Sequence, residues 1–221
     1  MIFVADEKYP DDELLLNARK PEGDLGNDLI DDMNVNHQGL VKWSLKHLDI
    51  SEGDVILDVG CGGGVNVEMF LKMARKVYGI DYSELSVERS SELNRSAIDD
   101  GRCKIINASV SDMPFEDSSF DIVTAFETVY FWPDFINDLM EVRRVLKDGG
   151  TFFIANEALP NEYDERQRHI IDLLDMKIYS RDELEASLKK AGFRKIKSFT
   201  KKSTDSFTGD DAEWICVNVK R

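Results

Sequence analysis

Residues 55–64 read VILDVGCGGG and bring together residue types that could hold a small charged ligand. Val55, Ile56, Leu57 and Val59 form an apolar β-branched run, the pattern of a strand buried on both faces. Glycines at 60, 62, 63 and 64 let the backbone turn sharply and leave no side chain between it and a ligand. The stretch Val65 to Met73 predicts a helix whose free amide groups point back at that loop. A glycine loop at a helix N-terminus suits a negative group, while the Asp58 carboxylate and the Gly60 carbonyl favour a positive one on the same ligand. Lys76 to Ile80 predicts the next strand, and Asp81 stands at its C-terminal end. In open α/β sheets ligands bind outside those ends, where an acid can accept hydrogen bonds from ribose hydroxyls. Ser83 and Glu84 then look like the N-cap and first turn of the following helix.

Two ligand classes compete for such a loop. Dinucleotide enzymes use G-x-G-x-x-G, and here Val65 occupies the position of the third glycine. No Lys or Arg occurs between Gly53 and Leu71, although backbone amides alone can hold a pyrophosphate. DVGCGGG instead resembles the first motif of class I S-adenosylmethionine-dependent methyltransferases. That resemblance implies cofactor contacts from Asp58, Gly60, Cys61 and Gly62, and from Asp81 and Tyr82 on the second strand. It also implies an adenine contact after the third strand, Cys103 to Asn107. The family's D-x-P-F-x-x-x-x-F-D pattern is present as Asp112, Pro114, Phe115, Phe120 and Asp121. Aligned on Pro114, Ser109 takes the place of the family's acidic residue, and the adenine falls to Ser109, the Val110 amide and the Ser111 hydroxyl.

Methyl transfer from a sulfonium is an in-line displacement on an activated carbon, so orientation of the acceptor dominates. A base matters only where the acceptor arrives protonated. The segment after the fourth strand, FETVYFWPD, supplies Phe126 to the cofactor side and builds the acceptor side. Glu127 is expected to accept a proton, orient an ammonium group or contact the cofactor. Tyr130, Phe131 and Trp132 predict an aromatic wall suited to an apolar or cationic acceptor, with at least one ring packing the following helix instead. The order Met33, Asn34, His37, then Trp43 resembles the N-terminal segment of a group of small bacterial and archaeal methyltransferases. The resemblance implies that this segment closes over cofactor and acceptor and that His37 joins the catalytic set; a satisfied inter-helix histidine is the alternative.

The elements that must position these residues follow from periodicity. Residues 1–24 are acidic and weakly patterned, the expectation for a partly mobile extension. Leu29, Ile30 and Met33, then Leu40, Val41, Leu45 and Leu48, fall at helical spacings broken between Asn34 and Gly39. Beyond the glycine loop, apolar strand runs alternate with helical runs, which predicts βαβ units and a mostly parallel sheet. Pro133 to Lys147 predicts a helix stopped by Gly149 and Gly150, and Thr151 to Ala155 a fifth strand. Tyr179, Ser180, Glu183 and Leu184 form a capping box with a hydrophobic staple, and Gly192 ends that helix. Lys195 to Thr200 and Trp214 to Val219 have no helix between them, so they should pair antiparallel around a loop from Ser203 to Ala212. The resemblance to the methyltransferases implies that these elements form a Rossmann-like α/β methyltransferase domain over 51–221, with a mostly parallel seven-stranded sheet ending in that hairpin, behind an N-terminal extension and capping helices over 1–50.

Composition narrows the partners. The chain has 221 residues, enough for a sizeable core, and 43 acidic against 28 basic side chains give a formal net charge of −15. Without a basic stripe to offset it, that charge argues against a phosphate-backbone partner and so against nucleic acid. Cys61, Cys103 and Cys216 are odd in number and suit a reducing compartment. No run approaches the ~18 apolar residues of a membrane span, and the start is too acidic for a signal peptide. A cytoplasmic enzyme acting on a small-molecule acceptor, with no metal, is the expectation; the acceptor and the oligomeric state stay open. A silent cofactor-binding module and an NAD-dependent oxidoreductase are the alternatives.

Overall fold

The computed structural model describes residues 12–157, 159–160, 163, 165–204 and 211–221. A seven-stranded sheet runs through it, with strands β1 (Val55–Val59), β2 (Lys76–Asp81), β3 (Cys103–Asn107), β4 (Phe120–Phe126), β5 (Leu146–Asn156), β6 (Arg194–Thr204) and β7 (Asp211–Lys220). Their spatial order is β3-β2-β1-β4-β5-β7-β6. The first five strands are parallel, and β7 runs antiparallel between β5 and β6. The strand order reverses between β1 and β4, which opens a crevice beyond their carboxyl ends.

Alternation along each strand divides the core between the two faces. Leu57, Val123, Phe152 and Val217 pack with Leu139 and Val142 of helix α7 (Phe135–Val145) and with Leu184 and Leu188 of α9 (Arg181–Lys190). Their neighbours Ile56, Ile122, Phe153 and Cys216 pack on the opposite face. That face is covered by Leu40 and Val41 of α3 (Gln38–Ser44) and by Val67 and Phe70 of α4 (Val65–Phe70). Every residue of β1 is buried, as its unbroken apolar run requires. Two further helices, α5 (Glu84–Leu93) and α6 (Arg95–Asp99), lie between β2 and β3.

Residues 12–24 are more ordered than their weak patterning predicts. Residues from 12 onward form α1 (Asp12–Arg19) and α2 (Gly23–Asn36); the first eleven lie outside the described residues. Leu15 is buried, and Arg19 reaches across to the Leu174 carbonyl, just past α8 (Glu165–Leu173). Two turns of helix are marginal alone, so tertiary contact rather than local propensity supports α1.

Two boundaries also differ from expectation. Helix α7 ends at Val145, because Leu146 is already paired with Phe120 in the sheet; Lys147 reaches Asp121 at 2.8 Å. The terminal hairpin pairs as far as Thr204 opposite Asp211, so Ser203 and Ala212 belong to strands rather than to the loop. Exposed polar side chains concealed this, since backbone pairing at an edge does not require apolar residues. The rest of the expected loop, 205–210, lies outside the described residues. The capping box at Ser180 and Glu183 forms as expected, and Ser83 caps α5 by accepting from the Ser86 amide.

Candidate active site

A cavity of about 670 Å³ opens at the carboxyl ends of β1, β2 and β4, within the size range of small-molecule sites. One wall is the glycine loop. The Gly60 and Cys61 amides both donate to the Ile80 carbonyl, at 2.8 and 3.0 Å, and fasten the loop to β2. Gly60 has φ +73°, and a Cβ there would come within 2.3 Å of the Thr128 methyl, so no other residue fits. Gly62 has φ +50° with nothing within 4 Å of a Cβ: it faces open cavity. Helix α2 closes over the same loop through Ile30 and Asn34, which leave no room for a Cβ at Gly63.

Asp81 joins the loop to the next helix. One carboxylate oxygen accepts from the Gly62 amide and the other from the Ser83 amide, both at 2.9 Å. Burial holds its carboxyl above the usual range, with these amide bonds offsetting only part of the rise. A carboxylate has about four acceptor positions and backbone amides take three here, so the side chain can still accept from a hydroxyl in the cavity it lines. Tyr82, beside it, also lines the cavity and donates its hydroxyl to the Arg19 carbonyl at the end of α1.

Asp58 sits differently from what its motif position suggests. It is 1 % exposed, lies in β1 off the cavity wall, and accepts from the Thr124 hydroxyl at 2.6 Å. Its Oδ2 has no hydrogen-bond partner among the described residues, and burial pushes the carboxyl up to about 7. An orphaned buried acceptor next to the glycine loop is a place for a ligand's positive charge to act through the loop rather than by wall contact. Cys61 is on the wall but buried; its thiol contacts Ser90 at 3.8 Å, and burial raises it well above the usual thiol range. It is therefore a packing group rather than a nucleophile.

The third-strand loop divides. Ser109 and Val110 line the cavity; Ser111 does not, because its hydroxyl donates to Asp138 of α7 at 2.7 Å. Phe126 lines the cavity while packing against Phe70 and Phe153.

On the acceptor wall, Glu127 adopts φ +56°, a left-handed conformation that a non-glycine residue rarely takes and that costs on the order of 1–3 kcal/mol. Its carboxylate is held from two sides, by the Tyr130 hydroxyl at 3.0 Å and by the Glu157 amide at the end of β5. Tyr130, Phe131 and Trp132 all reach the cavity. Trp132 also packs on Phe135 at the start of α7 and on Phe152 of β5, as expected of at least one ring at the following helix, while it still reaches the cavity. His37 stands where α2 passes into α3, half-buried and on the cavity wall. The structure thus brings His37, Glu127 and Tyr130 to one cavity.

Sequence reasoning missed Arg19, Glu157, Leu174 and Met176, which share that cavity. Glu157 could have been found, since it follows β5 as Glu127 follows β4. The others come from segments with no motif. Among the described residues no group of three or more His, Cys, Asp or Glu side chains is placed to hold a metal, and no helix is long and apolar enough to cross a membrane.

Known proteins share part of this sequence and its fold. Residues 57–154 match the family described as methyltransferase domain. That match runs from β1 into β5, the strands whose ends carry the cavity. The chain is 34% identical over 119 residues to the sterol 4-C-methyltransferase strm-1 of Caenorhabditis elegans, covering 53% of this chain and 35% of that protein. Against 27-O-demethylrifamycin SV methyltransferase of Amycolatopsis mediterranei it is 32% identical over 154 residues, covering 66% and 56%. In fold it is similar to a SAM-dependent methyltransferase from Aquifex aeolicus, with a TM-score of 0.67, 20% identity, and coverage of 87% of this chain and 97% of that one. The chain spans about a third of the length of the first curated relatives it matches. The methyltransferase fold with its terminal antiparallel hairpin is the one observed here.

Proposed function

We propose that this methyltransferase domain binds S-adenosylmethionine at the glycine loop and catalyses methyl transfer to a small molecule in the adjoining part of the cavity. The observation that carries the reading is one continuous cavity with Gly62 and Asp81 on one wall and the fixed Glu127–Tyr130 pair on the other. When bound, S-adenosylmethionine supplies a methyl group already activated by its sulfonium. The chain's residues then bind, orient and shield. The loop amides and the α4 N-terminus face the ligand's carboxylate, Asp81 takes ribose hydroxyls, and Ser109, Val110 and Phe126 hold the adenine side. The helices between residues 12 and 50 act as a cap that excludes water, with His37 on its inner surface, while the region from residue 51 onward holds the cofactor.

On the acceptor side, Tyr130, Phe131 and Trp132 orient the substrate, and Glu127 accepts the proton of an acceptor that arrives protonated. The net charge of −15 disfavours nucleic acid as that acceptor. Three buried free cysteines fit a reducing, cytoplasmic setting.

Isothermal titration tests the reading. S-adenosylmethionine and S-adenosylhomocysteine should both bind, and Asp81→Ala should weaken both by at least about tenfold, the loss of one or two hydrogen bonds to a charged group. Absence of binding by either ligand defeats the proposal.

A further inference from the structure

Helix α7 reaches both walls of the cavity through side chains that the reaction itself does not use. Asp138, Glu141 and Arg144 stand three residues apart and so share one face of the helix. All three grip the loop 111–115. The Ser111 hydroxyl donates to Asp138 Oδ1 at 2.7 Å, and the Met113 amide donates to Glu141 Oε1 at 3.0 Å. Arg144 donates to the Phe115 carbonyl at 2.7 Å and is itself held by Glu141. The second oxygen of Asp138 points the other way and accepts from the Asp134 amide at 3.0 Å.

Asp134 caps α7 and directly follows the segment carrying Tyr130, Phe131 and Trp132. Ser111 directly follows Ser109 and Val110 of the cofactor wall. A single carboxylate, 1 % exposed, therefore spans from one loop to the other. A buried carboxylate is retained only where such bonds satisfy it, and here its two oxygens serve two different loops.

We propose that Asp138 is a positioning residue that couples the two walls, so that filling the cofactor side sets the place of the aromatic acceptor wall. This rests on the methyl-transfer reading of the cavity and adds to it a route between its halves. Glu141 and Arg144 fix the far end of the 111–115 loop to the same helix, which leaves the Ser111–Asp138 bond as the joint nearest the ligand. Movement of the loop is then passed to the start of α7 rather than absorbed within the loop.

The test uses the whole chain labelled with 5-fluorotryptophan, whose 19F resonances are assigned by Trp132→Phe, with S-adenosylhomocysteine as the probe. Calorimetry on the same samples measures affinity separately. In the wild type, saturation should shift the Trp132 resonance. In Ser111→Ala, and in Asp138→Ala if it folds, the ligand should still bind, weakened by no more than about tenfold, roughly one hydrogen bond. The Trp132 shift should then lose most of its size, and Ser111→Thr, which restores a hydroxyl, should restore it. Ser111 is exposed, so its alanine variant keeps the test available if Asp138→Ala does not fold. A Trp132 shift of equal size in Ser111→Ala overturns the coupling, as does a wild-type resonance that stays still while calorimetry shows saturation. Failure of the wild type to bind at all overturns the methyl-transfer reading itself, and the coupling with it.

Discussion

On the cofactor side of the cavity, two short stretches, 58–64 and 81–83, supply a loop, a helix start and an acid, held together by backbone amides. On the acceptor side, the wall is drawn from α1, the α2–α3 junction, the 127–133 segment, Glu157 and the end of α8, and side chains tie these distant segments together, Arg19 to the Leu174 carbonyl and Glu127 to the Glu157 amide. The first wall is specified by backbone conformation, which only certain residues permit. The second is specified by which side chains tertiary packing happens to bring together. A backbone-built wall should tolerate almost no change and a side-chain wall should tolerate more, so substitutions on the two walls ought to fail in different ways.

The largest expected effect is at Gly60. Valine there would need φ near +73° and would drive its Cβ into Thr128, so both strain and collision act. Gly60→Val should lose S-adenosylhomocysteine binding altogether, more than about 100-fold by calorimetry, given roughly 1.4 kcal/mol per tenfold. Retained affinity within a factor of ten would mean that the loop is not the cofactor wall.

Glu127 should behave in the opposite manner. Its carboxylate is anchored by the Tyr130 hydroxyl and the Glu157 amide, neither of which belongs to the glycine loop. Glu127→Gln keeps the size and one acceptor oxygen but removes the charge. Turnover into a metabolite extract, followed as S-adenosylhomocysteine formed, should fall by roughly 100-fold if the group takes a proton. Cofactor affinity should stay within about threefold, since only acceptor-side chemistry is touched. If affinity falls in step with turnover, Glu127 belongs to the cofactor wall and the division between the walls is drawn in the wrong place. His37→Ala sharpens the same division: lost turnover with intact affinity makes it part of the acceptor side, and unchanged turnover makes it an inter-helix packing group.

How much of this was legible in the sequence follows the same division. The glycine loop and Asp81 could be read because backbone geometry constrains residue type: only glycine fits at Gly60, and strand ends are where ligands bind. The strands could be read because alternation and apolar runs report burial directly. Helix α1 could not, because eight residues with a single buried leucine carry little periodicity, and its order comes from contacts with Tyr82 and with the end of α8. The role of Ser111 was concealed for a related reason. Alignment on Pro114 placed it beside the adenine, but its partner Asp138 is 27 positions away on another helix, and no local pattern reports that bond. Asp58 shows the same effect inside a motif: the motif points it at the ligand, yet β1 buries it off the wall.

Asp58 also gives the smallest expected effect and separates burial from ligand contact. Its carboxyl titrates at about 7 against an ordinary 3.8, because burial disfavours the charge more than the Thr124 hydroxyl relieves it. Between those two pH values the folded chain holds a proton that the unfolded chain has lost. Stability contributed by this group is therefore full at low pH, falls as pH rises toward 7, and is constant above it. Asp58→Asn keeps an acceptor for Thr124 and carries no charge at any pH. Its melting temperature should match the wild type only below about pH 4, where Asp58 is protonated folded and unfolded, and its lead should grow by several degrees between pH 5 and pH 8, roughly 3 kcal/mol at about 1.4 kcal/mol per pH unit. Saturating S-adenosylmethionine should narrow that gap at pH 8, because a nearby ammonium stabilises the ionised carboxylate and asparagine gains nothing from it. A gap that ligand leaves unchanged would make Asp58 purely a sheet residue, and the positive end of the cofactor would then be held by backbone carbonyls of the loop alone.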